Sequence, residues 1–195
     1  MKESLRRALA AYVPEPIEVD PEFPLAAVLV LIYEHQGRHY VVLQKRSEHV
    51  KDHKGQVSFP GGGMDSGDPD LVFTAVRETH EEIGVHPGDI EIIGQLDDIV
   101  TISNFRVTPF VAWLARYPYE WRFSDPEVAY LLEVPVDHLL DPTTLIPDRR
   151  IIRGREMVLP SYQFGDDLIW GATARMLTNF LDILAAAMDS ATAEG

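Results

Sequence analysis

The chain contains no cysteine, and this absence removes several classes of chemistry at once. Disulfide frameworks, thiolate zinc sites and cysteine nucleophiles are all excluded. A chain without cysteine fits a reducing compartment, and we expect the protein to be cytoplasmic. The sequence also lacks a long hydrophobic run, because the longest, from Leu25 to Tyr33, is about half of the ~20 residues that a membrane-spanning helix needs. We therefore expect no membrane span, and we find no pattern typical of a secretory signal.

Basic residues are scarce: 17 Lys and Arg stand against 31 Asp and Glu, which gives a formal net charge of -14. This balance argues against binding to duplex nucleic acid, which requires a basic surface. It is compatible with a small anionic substrate, because a bound divalent metal reverses the local charge. The 195 residues, 46% hydrophobic and 25% charged, predict one globular domain. We place it at 25–188, with an N-terminal helix and extension at 1–24 and a flexible tail at 189–195.

Hydrophobic periodicity and turn residues predict a mixture of helices and strands. Helices are expected at 4–13, 70–83, 137–140 and 168–188, and strands at 25–33, 39–45, 90–95, 105–115 and 128–134. Pro109 points to an edge or a bulge in its strand. A late hairpin is expected around Pro160, formed by 151–159 and 162–164. Strands that flank a central helix, with another helix at the end, predict an α/β/α sandwich.

Three consecutive glycines, Gly61, Gly62 and Gly63, precede the central helix. We expect a structured loop here, because such a run fits poorly into the interior of a helix or a strand. Its bare backbone can approach a phosphate closely or offer a carbonyl oxygen to a metal.

Three glutamates on the central helix form a candidate metal site. With ~3.6 residues per turn, Glu78 and Glu82 lie about 40° apart in projection, and Glu81 lies within about 100° of Glu82. Carboxylates on one helix face repel one another unless a cation lies among them. Hard oxygen ligands favour Mg²⁺ or Mn²⁺. A solvated acidic face is the other interpretation of such a triplet, and the neighbouring glycines favour the metal.

The segment 63–85 resembles the Nudix box, the signature of a family of hydrolases. That pattern is Gly, five residues, Glu, seven residues, Arg-Glu, an aliphatic residue, any residue, Glu-Glu, any residue, Gly and an aliphatic residue. The positions that match in register are Gly63, Arg77, Glu78, Glu81, Glu82, Gly84 and Val85. Pro69 stands where the pattern has its first Glu, and Thr79 takes an aliphatic position. Asp68 or Asp70 can substitute for the missing Glu, and the sequence leaves that choice open.

The resemblance implies the Nudix α/β/α sandwich, with a mixed sheet between helices, and a Nudix hydrolase domain at 25–188. It also implies hydrolysis that depends on Mg²⁺ or Mn²⁺. Glu78 and Glu82 would hold the metal, with Glu81 as a further ligand or a base-positioning group. Arg77 would orient these carboxylates. A distant carboxylate often completes the metal shell or acts as the base in this family, and Glu127 is the candidate.

The segment 42–62 looks like the additional signature of the coenzyme A pyrophosphatase branch of this family. The positions that match in register are Arg46, Ser47, Gly55, Phe59, Pro60, Gly61 and Gly62. Val42, Gln44 and Lys51 depart from the signature. Lys51 keeps a positive charge but loses the two-pronged geometry of a guanidinium. Downstream strings, including 169–177, also resemble this branch.

This second resemblance implies a small-molecule substrate, coenzyme A or a derivative, cleaved to 4′-phosphopantetheine and adenosine 3′,5′-bisphosphate. A basic loop beside the glycines suits such phosphates, and we expect substrate contacts from Arg46, Ser47, Lys51, Gly61, Gly62 and Gly63. Two alternatives stay open. One is another nucleotide substrate, such as ADP-ribose, NADH or a nucleoside triphosphate, which the departures at Gln44 and Lys51 suggest. The other is a non-catalytic binding module, which Pro69 suggests. A homodimer is implied by the resemblance alone.

Overall fold

The computed structural model describes residues 1–15, 17, 22–48, 54–123, 127–152 and 154–193. Its helices are α1 (Lys2–Ala11), α2 (Leu71–Ile83), α3 (Val136–Leu140) and α4 (Gly171–Ala193), with short 3-10 turns at Pro87–Asp89 and Pro142–Thr144. Its strands are β1 (Leu25–His35), β2 (Arg38–Arg46), β3 (Val57–Ser58), β4 (Gly61–Gly63), β5 (Ile90–Gln95), β6 (Ile99–Val100), β7 (Arg106–Leu114), β8 (Val128–Pro135), β9 (Leu145–Ile152), β10 (Arg155–Phe164) and β11 (Asp167–Ile169).

The larger sheet is mixed, with the strand order β3-β2-β1-β7-β5. Its centre is β1, which runs antiparallel to β2 and parallel to β7. Three strands lie off this path: β4 pairs with β1, β6 with β7, and β8 with β2. The second sheet has the order β11-β10-β9. The mixed sheet predicted from the resemblance is therefore confirmed.

Side chains of β1 alternate between two hydrophobic cores, as expected for a strand covered on both faces. Leu29 and Leu31 pack in the core that contains Ala75 of α2. Val30 and Ile32 pack in the opposite core, which also contains Leu5 and Leu9 of α1 and Phe180 of α4. The sheet thus lies between α2 on one side and α1 and α4 on the other, which confirms the sandwich. The N-terminal helix is part of the second core rather than an appendage to it.

The three glycines form strand β4 instead of the expected loop. They pair antiparallel with β1, where Ala27 is opposite Gly62. The backbones approach so closely that a Cβ on Gly61 would lie 2.3 Å from the carbonyl oxygen of Ala27, and its φ of +145° is one that side-chain-bearing residues rarely adopt. Glycine permits this approach, and the pairing partner lies too far away in sequence for local patterns to indicate it.

The two prolines singled out from the sequence also lie inside strands. Pro109 is within β7, and its carbonyl accepts a hydrogen bond from the backbone of Leu96. Its nitrogen therefore faces the gap between β5 and β6, where no ladder hydrogen bond is lost. Pro160 is opposite Pro147 in the β9–β10 pair. The hairpin turn is at Gly154 instead, whose φ is +76°.

The C-terminal helix begins later and extends further than the periodicity predicts. Residues 167–169 belong to β11, so α4 begins at Gly171. It continues to Ala193, so the segment expected as a tail is helical to that point. Among the described residues, no helix is long and apolar enough to cross a membrane.

Candidate active site

A cavity of about 400 Å³ opens between β4, the end of β2 and α2. Its lining residues are Arg46, Gly61, Gly62, Gly63, Asp65, Arg77, Glu78, Glu81, Glu82 and Glu127. All the site residues predicted from the sequence line this one cavity except Ser47 and Lys51. Ser47 is buried beside the cavity, where its backbone N–H donates to the carbonyl of Glu127 (2.8 Å). Lys51 lies outside the described residues.

Helix α2 begins and ends at residues that fix its position. The Asp70 side chain accepts a hydrogen bond from the backbone N–H of Phe73 (2.8 Å), and Gly84 ends the helix in the left-handed conformation. These are the expected N-cap and C-terminal features. Thr79, the departure from the aliphatic position of the box, is buried and donates its hydroxyl to the carbonyl of Ala75 (2.7 Å). A polar side chain is therefore accommodated on the packed face.

Glu82 is the most buried carboxylate of the cavity, with 3% of its surface exposed. Its Oε2 accepts short hydrogen bonds from Gln44 Nε2 (2.6 Å) and from the backbone N–H of Gly61 (2.8 Å). Arg46 Nη1 lies 3.4 Å from the other oxygen, Oε1. Burial raises the pKa of Glu82 to about 7, although the hydrogen bonds from Gly61 and Gln44 act in the opposite direction. A bound cation would favour the ionised form.

Glu78 and Glu81 are held by a single guanidinium. Arg77 Nη1 donates to Glu78 Oε1 (2.9 Å) and to Glu81 Oε2 (3.1 Å). Burial raises the pKa of Glu78, opposed by Arg77, whereas the Glu81 side chain is 56% exposed. A Cβ on Gly62 would lie 2.6 Å from the carboxyl carbon of Glu78, so this glycine leaves the space that Glu78 occupies.

Asp68, which directly precedes Pro69, is an acid that contacts the box arginine. It forms a bidentate pair with Arg77, at 3.0 Å from Nε and 2.8 Å from Nη2. Thr74 Oγ1 also donates to it (2.9 Å). The hydrogen bonds from Arg77 hold the pKa of Asp68 well below its usual range. Asp70 caps the helix instead. The sequence alone does not distinguish the two acids, because Pro is favoured at the first helical position and would make Asp68 an equally good N-cap.

Gln44 contributes to the site, although the sequence did not indicate this role. It is fully buried on β2 and contacts Glu82 across 38 positions of the chain. Its departure from the signature had suggested a change of substrate. No local pattern indicates a contact of this range, because it depends on how β2 packs against α2.

The donor set of the cavity fits a hard divalent cation. Its walls carry the carboxylates of Asp65, Glu78, Glu81, Glu82 and Glu127 and the guanidinium groups of Arg46 and Arg77. Such oxygen donors suit Mg²⁺ or Mn²⁺. Within the described part of the chain, no three acidic or histidine side chains are already gathered around one point. Arg77 contacts Oε1 of Glu78 and Oε2 of Glu81, so a bound ion would compete with this guanidinium or use the other oxygen of each carboxylate.

The comparisons with known proteins agree with this geometry. The family model described as the NUDIX domain matches residues 23–154. The chain belongs to the Nudix family. It is 34% identical over 152 residues to a protein of Enterobacter sp. strain 638 named uncharacterized Nudix hydrolase NudL, with 78% of each chain covered. A protein of the same name from Pectobacterium atrosepticum is 36% identical over 157 residues, again with 78% of each chain covered.

Solved structures of Nudix proteins have the same fold. A MutT/nudix family protein from Enterococcus faecalis superposes with a TM-score of 0.55 at 15% identity, covering 95% of this chain and 70% of that chain. The Nudix hydrolase RenU from M. smegmatis gives a TM-score of 0.50 at 23% identity, covering 61% of this chain and 74% of that chain. As a member of the family, the protein is a Nudix pyrophosphohydrolase. Nudix enzymes generally use divalent metals and act on small nucleotide-type substrates.

Proposed function

We propose that this Nudix enzyme is a divalent-metal-dependent pyrophosphatase of coenzyme A or its derivatives. The products would be 4′-phosphopantetheine and adenosine 3′,5′-bisphosphate. The proposal rests on the signature at 42–62, together with the cavity that this segment shares with the box.

The observation that carries the proposal is the position of Arg46. This residue belongs to the signature, and its guanidinium lines the cavity 3.4 Å from the box carboxylate Glu82. A cation beside a metal-binding carboxylate is well placed to receive a phosphate oxygen. The adjacent backbone is fixed by the hydrogen bond from Ser47 N–H to the Glu127 carbonyl. Substrate contacts are therefore expected from Arg46, Ser47 and the three glycines. Lys51, in the same signature, is expected to contribute another.

In this proposal Glu78 and Glu82 hold the essential metal, and Glu81 is a further ligand or positions the attacking water. A bound metal polarises the phosphoryl oxygen, lowers the pKa of water and neutralises charge on the leaving phosphate. Arg77 keeps the carboxylates in place. Glu127, which lines the same cavity beside the end of β2, is the candidate for the group that takes the proton from water.

The two alternatives receive less support from the described contacts. Gln44 contacts Glu82 and not the open part of the cavity, so its departure from the signature gives no reason to expect another substrate. Asp68 contacts Arg77 in a bidentate pair, so Pro69 gives no reason to expect loss of catalysis. Lys51 remains the departure that favours another nucleoside diphosphate derivative.

Product analysis tests the proposal. The purified protein is incubated with coenzyme A, ADP-ribose, NADH and dGTP, each with Mg²⁺, Mn²⁺ or a chelator. We expect metal-dependent release of adenosine 3′,5′-bisphosphate from coenzyme A, well above cleavage of the other compounds. Cleavage of another compound alone would overturn the substrate, and no cleavage with any metal would favour a binding module. Light scattering would test the predicted homodimer.

A further inference from the structure

We propose that Gln44 is a positioning residue for the metal-binding carboxylate of Glu82. By holding Oε2, its side chain leaves Oε1 as the oxygen available to the cation. This inference rests on the proposed metal site and adds a residue that lies outside the Nudix box.

The hydrogen bonds to Glu82 divide its two oxygens into different roles. Oε2 accepts the short bonds from Gln44 Nε2 (2.6 Å) and from Gly61 N–H (2.8 Å). Among the described residues, Oε1 has only the longer contact with Arg46 (3.4 Å). Two donors on one oxygen restrict rotation of the carboxylate. The orientation that results points the less occupied oxygen toward the side of Arg46, which lines the cavity.

The position of Gln44 is itself rigid. Its backbone lies in β2 between two neighbours, because it is opposite Ser58 of β3 and Leu131 of β8. Its side chain has 0% of its surface exposed. A donor on a paired strand and a donor on the β4 backbone therefore hold the same oxygen, and both are anchored by the sheet rather than by a loop. Such anchoring is how neighbouring groups orient a metal ligand.

The amide oxygen of Gln44 argues against a purely structural role for this side chain. The amide nitrogen faces Glu82 in the structure, which is the orientation that an ionised, cation-binding carboxylate requires, because such a group only accepts hydrogen bonds. The amide oxygen therefore faces away. That oxygen, Gln44 Oε1, is buried and has no hydrogen-bond partner among the described residues. A buried acceptor without a partner destabilises the fold. A methionine would fill similar space without this defect, so the amide is better explained by its bond to Glu82.

The experiment compares Gln44→Met with Ser58→Ala. Met replaces Gln at similar length without a donor. Ser58 is the strand partner of Gln44, and its hydroxyl lacks a hydrogen-bond partner among the described residues, so its removal alters the same neighbourhood without touching Glu82. Mn²⁺ binding is measured by the electron paramagnetic resonance signal of free Mn²⁺, and thermal unfolding is measured on the metal-free proteins.

We expect the Mn²⁺ dissociation constant to rise about tenfold or more in Gln44→Met and to change less than about twofold in Ser58→Ala. We expect the metal-free melting temperature of Gln44→Met to be equal to or above that of the wild type. Unchanged Mn²⁺ affinity in Gln44→Met, or an equal loss in Ser58→Ala, would overturn the inference. If the methionine variant does not fold, Gln44→Leu gives the same comparison. Absence of Mn²⁺ binding by the wild type would instead overturn the metal site itself.

Discussion

The two walls of the cavity are built in different ways. The inner wall is formed by Gly61 and Glu82, and the buried Gln44 lies behind it; uncharged donors of Gln44 and Gly61, anchored in the sheet, hold one oxygen of Glu82. The outer wall is formed by Arg77, Glu78 and Glu81, and its guanidinium contacts both glutamates and also pairs with the buried Asp68. In the proposed metal site, Glu82 would therefore be a ligand held by the sheet, whereas Glu78 and Glu81 would be ligands that share a guanidinium with one another. Substitutions on the two walls should differ accordingly.

The largest contrast should come from the adjacent residues Glu82 and Glu81. Glu82→Gln removes the charged ligand of the inner wall and should lower turnover about 10³-fold or more, because metal-mediated stabilisation contributes several kcal/mol. Glu81→Gln changes an exposed side chain that solvent and Arg77 already screen, and should cost about tenfold. Metal-dependent hydrolysis rates measure both, with circular dichroism as the control for folding. Near-normal activity of Glu82→Gln would show that the metal assignment is wrong.

The glycine strand gives a second pair of variants on neighbouring positions. A Cβ at position 62 would meet the Glu78 carboxyl group, whereas nothing lies within 4 Å of a Cβ at position 63. Overpacking costs about 1–3 kcal/mol, so Gly62→Ala should weaken Mn²⁺ binding ~10- to 100-fold. Gly63→Ala should change it by less than about threefold. Calorimetric titration with Mn²⁺ compares the two, and equal effects would show that Glu78 is not a ligand.

Substitutions of Asp68 and Asp70, on either side of Pro69, should differ less in their effects on activity. Asp68→Asn removes the charge that faces Arg77 and should reduce kcat about tenfold, since groups that orient metal ligands typically contribute this much. Asp70→Asn should leave kcat unchanged, because Asn is as good an N-cap as Asp. Steady-state kinetics on both variants measure the difference. A larger loss in Asp70→Asn would assign the role of the missing Glu to the other acid.

The smallest effect expected is on the pH dependence of metal-free stability. The pKa of Asp68 lies below its ordinary value of 3.8, so the Asp68–Arg77 pair stabilises the fold above that pH. This contribution is lost as the pH falls through the lower pKa of the folded state. The stability difference between wild type and Asp68→Asn should therefore shrink as the pH is lowered below about 4. Urea denaturation at a series of pH values measures it, and a difference that grows on acidification would contradict the pair.

The outer wall could be predicted from the sequence almost completely. Arg77, Glu78 and Glu81 lie on one helix, so helical periodicity is enough to bring them together. Local rules work here because the contacts are local. The choice between Asp68 and Asp70 could not be predicted, because Asp68 followed by Pro69 fits the N-cap pattern as well as Asp70 does.

The inner wall could be predicted only in part. The β4 glycines were expected near the site, but as a loop, because their strand partner Ala27 is distant in sequence. The bond from Gln44 to Glu82 was not predicted at all, since it depends on the packing of a sheet against a helix. The substrate contacts and the metal ligands all stay predictions, as does the role of Glu127. The predicted substrate contacts are Arg46, Ser47, Lys51, Gly61, Gly62 and Gly63, and the predicted metal ligands are Glu78, Glu81 and Glu82.

The most direct test of the account is to locate the metal. Crystals of the protein soaked in MnCl₂ are measured at the manganese absorption edge, where the anomalous signal identifies Mn²⁺. The account predicts a peak inside the cavity, bound by Oε1 of Glu82 and by Glu78, with Gln44 still hydrogen-bonded to Oε2. A cavity without a peak at saturating Mn²⁺, or a peak that does not contact Glu82, would contradict it.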